Sequence, residues 1–100
     1  QKKDTMKNSS KKTTKESSIQ TAINKLLTEN GWFIVKIKKK KKNGIPDLMA
    51  IKNGRTIFIE VKNEIGKLSK IQEYRIKEMQ QHGAEVIVAR SKEEIKPYLD

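Results

Sequence analysis

Two carboxylates and a lysine stand in this sequence where a plain β-hairpin would carry none. In the stretch GIPDLMAIKNGRTIFIEVK, Gly44 to Lys62, the pair Asn53-Gly54 marks a two-residue turn. Both residue types accept the positive φ that a type I′ turn demands. Counting outward from that turn pairs Lys52 with Arg55, Ile51 with Thr56, Met49 with Phe58 and Asp47 with Glu60. Directly opposed side chains have Cβ atoms roughly 4.5–5.5 Å apart, and like charges at that spacing repel. The repulsion is offset if one carboxyl holds a proton, if Lys62 neutralises part of the charge, or best if a divalent cation sits between Asp47 and Glu60. The plainer alternative is a solvated sheet end at which Lys62 merely pairs with Glu60. Pro46 fixes the backbone ahead of Asp47 and Gly44 frees the approach, and both favour a built site.

The elements that must position these groups follow from periodicity. Alternation puts Leu48, Ala50, Ile57, Ile59 and Val61 on one apolar face of the hairpin, and Asp47, Met49, Phe58, Glu60 and Lys62 on the other. Both faces are apolar beyond the charged end, so the hairpin is expected at the centre of a sheet with helices on both sides. Ahead of it, Ile19, Ala22, Ile23, Leu26 and Leu27 recur at helical spacing, with Thr13-Thr14-Lys15-Glu16 a possible capping box and Asn30-Gly31 a stop. Trp32 to Lys38 suits a strand. Behind the hairpin, Ser69-Lys70-Ile71-Gln72 matches a capping box, Ile76 and Met79 mark a second amphipathic helix, and Gly83 ends it. Ala84 to Arg90 reads as a buried strand, and Ser91 to Leu99 as a short terminal helix that Pro97 could shorten. The predicted class is α/β, in the order α-β-β-β-α-β-α. Trp32, Phe33, Tyr74 and Met79 are expected in the core, and His82 on the surface.

Composition bounds the function. The chain has 100 residues, Lys+Arg 23 against Asp+Glu 12, and a net charge of +11. It is one domain at most, residues 16–100, behind a solvated and disordered basic arm over residues 1–15. Such an excess of cations points to a polyanion, most commonly nucleic acid. Zero cysteines exclude disulfides and thiolate chemistry, and a lone histidine cannot make a histidine-rich metal site. Any metal must therefore be a hard cation on oxygen ligands. No stretch approaches the roughly 20 apolar residues of a spanning helix, and no secretion signal is visible. An intracellular protein with no membrane partner is the expectation.

With Pro46-Asp47 and Glu60-Val61-Lys62 in place, the residues resemble the PD-(D/E)XK nuclease superfamily. Together with Gly44, Leu48 and Gln72 they closely resemble its VRR-NUC (virus-type replication-repair nuclease) branch, from about Glu16 to Leu99. The resemblance implies a restriction-endonuclease-like core: a central mixed β-sheet flanked by helices. It implies that Asp47 and Glu60 are ligands for Mg²⁺ or Mn²⁺, with the Val61 carbonyl a further ligand, and that Lys62 orients or deprotonates the attacking water. Phosphodiester hydrolysis needs that combination of Lewis acid, activated water and cationic stabilisation. It places Gln72 near the site as well as in its capping box. It also brings Glu16 to the metal, with Gln20 as the alternative contributor, although Glu16 has a plain helix-dipole role available to it.

The run from Lys36 to Lys42 carries Lys36, Lys38, Lys39, Lys40, Lys41 and Lys42 just ahead of the site. No aromatics are interleaved, so contact with the DNA backbone, and not with its bases, is expected; a merely solvated loop is the competing reading. The overall expectation is a metal-dependent DNA endonuclease of DNA repair, of cellular, phage or virus origin, selecting branched DNA such as a Holliday junction by structure and not by sequence. A small domain covers little duplex, which suggests a homodimer. The alternative from another class is a non-catalytic basic module that keeps the nuclease fold.

Overall fold

The computed structural model describes residues 13–38 and 42–100. Residues 1–12 of the expected arm, and Lys39, Lys40 and Lys41 of the basic run, lie outside the described residues. Helix α1 (Glu16–Glu29) is followed by strands β1 (Phe33–Lys36), β2 (Leu48–Lys52) and β3 (Arg55–Val61), then helix α2 (Lys70–Gln81) and strand β4 (Glu85–Ala89). Two 3₁₀ turns, Lys92–Glu94 and Lys96–Tyr98, close the chain. They replace the expected terminal helix. Pro97 stands in the first turn of the second one, where its missing N–H removes an α-helical donor, and Ile95 between the two turns is fully buried.

The sheet is mixed, in the order β1-β2-β3-β4. β1 to β2 and β2 to β3 are antiparallel, while β3 to β4 is parallel, with α2 as the crossover. The hairpin is therefore central, as its two-sided apolar pattern predicts. Its register is the one counted from the turn: Lys52 faces Arg55, Met49 faces Phe58, and the ladder runs to Leu48 opposite Ile59. Asn53 and Gly54 take φ values of 51° and 82°, as a type I′ turn requires.

α1 covers one face. Ile19, Ile23 and Leu27 recur every fourth residue and bury against Leu48, Ala50, Ile57, Ile59 and Val61. Truncating Ile23 or Leu27 to alanine would cost about 2–5 kcal/mol. Both helices end in the same way. The amides of Gly31 and Trp32 return to the Thr28 and Leu27 carbonyls, and those of Gly83 and Ala84 to the Gln80 and Met79 carbonyls. The expected capping box of α1 does not form: Lys15 is the N-cap and gives no side-chain bond. Thr14 is engaged elsewhere, its N–H and hydroxyl donating to Glu64 at 2.9 and 2.6 Å.

Two of the four residues expected in the core are on the surface. Trp32 is buried, its Nε1 donating to the Leu99 carbonyl, and Met79 is half-buried. Phe33 and Tyr74 are 65% and 59% exposed. Phe33 sits on the edge strand, on the face away from α1, because its partner there is Ile51 and not a core residue. Tyr74 lies beside Arg75 on the outer side of α2, the guanidinium 5.4 Å from the ring centre.

Candidate active site

The site grows from the open end of the hairpin. Beyond the last ladder pair, the Asp47 amide donates to the Ile59 carbonyl at 3.0 Å and the Asp47 carbonyl accepts from Ile37 at 2.9 Å, so Asp47 is held between β3 and the end of β1. Its side chain turns to β3, where Oδ2 accepts from the Val61 amide at 2.7 Å. That bond fixes one carboxylate across the strand end from Glu60.

Glu60 points to the other layer. Its β4 partner is Val88, and α2 covers that face. Only 2% of Glu60 is exposed, and among the described residues it is the only charged side chain buried. Acidic side chains are almost never fully buried without a partner or a metal to justify the desolvation. Gln72 reaches it from the first turn of α2, Nε2 donating to Glu60 Oε2 at 2.9 Å. The Gln72 amide oxygen meanwhile accepts from the Ser69 N–H at 2.9 Å, and Ser69 Oγ accepts from the Gln72 N–H at 3.2 Å. One side chain thus closes the capping box and donates to the Glu60 carboxylate.

Lys62 follows Val61 at the strand end, half-buried, its amide donating to the Ala89 carbonyl at 3.1 Å. Glu16 arrives from the first turn of α1. A Cβ placed on Gly66 would lie 3.1 Å from Glu16 Oε2 and 3.4 Å from Lys62 Cδ, so both side chains converge on that glycine. Glu16 remains solvent-exposed. Among the described residues no three acidic, histidine or cysteine side chains close into a metal cage. The oxygens able to hold a cation at this end are the Asp47 and Glu60 carboxylates and the Val61 carbonyl, with Glu16 near Lys62. Of the basic run, Lys36 ends β1, and Lys38 and Lys42 are exposed.

A protein-family model, the VRR-NUC domain, matches residues 3–93. The chain belongs to the VRR-NUC family. This is a family of nuclease domains, and the match reaches into the segment expected as a free arm. A solved structure described as a VRR_NUC domain is similar at a TM-score of 0.76 and 26% identity, over 86% of this chain and 95% of the other. No curated protein matches the chain. No helix among the described residues of this VRR-NUC domain is long and apolar enough to cross a membrane.

Sequence reasoning missed the residues that shape the loop between β3 and α2. Asn63 Oδ1 accepts from the Gly66 and Ile65 amides at 2.8 and 3.3 Å, a local turn that an asparagine three residues ahead of a glycine could have signalled. Arg90, at the end of β4, donates through one nitrogen to the Asn63 and Gly66 carbonyls at 2.7 and 2.6 Å. It pins the loop on which Lys62 and Glu16 converge. No local pattern announces that contact. On the same loop, Thr14 holds the Glu64 carboxyl below its ordinary range through its hydroxyl and amide. The expected approach role of Gly44 takes a different form: a Cβ there would stand 2.6 Å from the Ile71 carbonyl oxygen, so Gly44 lets the segment before Asp47 lie flat on α2.

Proposed function

We propose that this VRR-NUC domain is an intracellular, divalent-metal-dependent endodeoxyribonuclease that cuts branched DNA, selected by structure and not by sequence, as a homodimer. The observation that supports it most is the buried Glu60 carboxylate, oriented by Gln72 at the strand end that also carries Asp47 and Lys62. The donors suit Mg²⁺ or Mn²⁺: they are hard oxygens, and Mg²⁺ ordinarily takes one or two carboxylates and fills its remaining positions with water and phosphate oxygens. Asp47, Glu60 and the Val61 carbonyl would hold the ion, which when bound supplies a Lewis acid and an activated water.

The chain's own residues do the rest. The Val61 amide holds Asp47 in place, and Gln72 does the same for Glu60. Lys62 places a cation where negative charge grows on the phosphate and orients the attacking water. Glu16, converging with Lys62 on Gly66, can accept from that lysine or from water beside it. The lysines of residues 36–42 supply contacts to the DNA backbone.

The test is cleavage of a supercoiled plasmid, a synthetic four-way junction and a linear duplex of matching sequence, with Mg²⁺, Mn²⁺ or EDTA. The parent should cut the junction faster than the duplex, only with metal, and Asp47→Ala, Glu60→Ala and Lys62→Ala should each lose at least about a hundredfold in rate. Variants that cut as well as the parent would refute the site. Tight, salt-sensitive binding without cutting in any metal would favour the non-catalytic module. Sedimentation with DNA bound, at micromolar protein, should show a dimer.

A further inference from the structure

Between α1 and the edge strand β1 the molecule leaves an open cavity of about 250 Å³, lined by Gln20, Thr21, Asn24, Lys25 and Lys36. No carboxylate is among those side chains. Two are cations and two are amides, the groups that ordinarily meet phosphate oxygens. The Asn24 amide is oriented for it: Oδ1 accepts from the Thr28 hydroxyl at 3.2 Å, which leaves the NH₂ as the group to offer a ligand. Thr21 donates its hydroxyl to the Ser17 carbonyl and forms the wall between them.

The position of this cavity is as informative as its lining. Lys36 pairs with Leu48, a residue buried against α1, so its side chain leaves the sheet on the α1 side. The next amide, Ile37, donates to the Asp47 carbonyl, which puts Lys36 one residue from the level of the site. On the helix, Gln20 is one turn beyond Glu16, the residue that converges with Lys62. The cavity therefore opens off the carboxylate end and runs back along the edge of the sheet, where β1 has no outer strand neighbour among the described residues.

We infer that this donor-lined groove carries the phosphodiester backbone of a DNA arm leaving the cleavage site, through Gln20, Asn24, Lys25 and Lys36. The inference rests on the nuclease reading above and adds to it a second track on α1, which meets the lysine run at Lys36. The lining holds no aromatic ring, so the contact is with phosphates and is indifferent to sequence.

The experiment is a fluorescence-anisotropy titration of a labelled four-way junction and a linear duplex, in EDTA and again with Ca²⁺, across a series of KCl concentrations. Asn24→Asp and Lys25→Glu should each weaken binding about tenfold and flatten the plot of log affinity against log salt by about one unit for each phosphate no longer neutralised. Lys25→Gln, which removes the charge but keeps a polar side chain of similar helix propensity, should give an intermediate loss, and melting curves confirm that each variant is folded. Lys96→Glu makes the same charge change near the C-terminus, whose Leu99 carbonyl is held by Trp32 and Lys52 at the turn end of the sheet, and should stay within about twofold of the parent. If Asn24→Asp and Lys25→Glu bind like Lys96→Glu while the parent still binds and cuts, the groove carries no DNA and only this inference falls. A parent that binds neither DNA in EDTA nor in Ca²⁺ would overturn the nuclease reading and the groove together.

Discussion

The side-chain amide of Gln72 closes a capping box with its oxygen and steadies the buried Glu60 carboxylate with its nitrogen, so one residue couples the start of α2 to the site. The two roles separate by mutation. Ser69→Ala removes only the cap and should cost about 1 kcal/mol, with cleavage retained. Gln72→Ala also takes a donor from a buried carboxylate, so about 1–3 kcal/mol more should be lost, along with about tenfold or more in cleavage rate. Thermal unfolding beside a plasmid assay reads both, and equal effects of the two variants would show that Gln72 is a cap alone. The box is legible in Ser69-Lys70-Ile71-Gln72 because a cap is settled within four residues. The exposure of Phe33 and Tyr74 is not legible for the opposite reason: an aromatic residue type carries no record of whether its strand is an edge or its helix face outward.

At the scale of elements, α2 holds both halves of the site. It presents Gln72 to Glu60, and Arg75 Nε donates to the Asn43 carbonyl at 3.0 Å, four residues ahead of Asp47. Gly44 lies against the same helix at a φ of 82°. Gly44→Ala should therefore lower the melting temperature and cleavage together, since a Cβ would push Asp47's segment off α2; a variant that melts and cuts like the parent would contradict this docking. β3 and β4 are tied at their far end by Arg55 and Glu85, with contacts at 3.1 and 2.7 Å. The Arg55 hydrogen bond holds the Glu85 carboxyl below its ordinary value of about 4.5. A depressed carboxylate contributes stability above its unfolded value, and that contribution is lost as pH falls through the lower folded value. Both side chains are 39% exposed, so solvent screens the pair and the effect on stability is small. NMR titration should show the Glu85 midpoint rising toward the ordinary value in Arg55→Ala, and an unchanged midpoint would remove Arg55 as the cause.

For the whole molecule, metal binding and folding are linked through Glu60. A cation that binds the folded chain alone stabilises it by about 2.7 kcal/mol at a hundred times its Kd, which in a domain of this size is a rise of roughly 10–20 °C in Tm. Mg²⁺ should raise the Tm of the parent and leave Glu60→Gln unmoved. Glu60→Gln should also exceed the parent in EDTA, because a neutral amide is less costly to bury than a carboxylate. An equal Mg²⁺ shift in both proteins would mean that the ion binds elsewhere.

The residues by themselves determined the hairpin register, the buried stripe of α1, the second capping box and the pairing of Asp47 with Glu60's end of the sheet. Each of these is settled by a turn type or a repeat within a few residues of chain, where backbone geometry leaves few choices. Only the tertiary structure decided the parallel pairing that sets Val88 beside Glu60, the Arg90 clamp on Asn63 and Gly66, the Thr14 clasp on Glu64, and the groove between α1 and Lys36. These contacts join residues far apart in the chain, and no periodicity encodes which distant groups meet. They are chosen when burial of the shared core brings whole elements together.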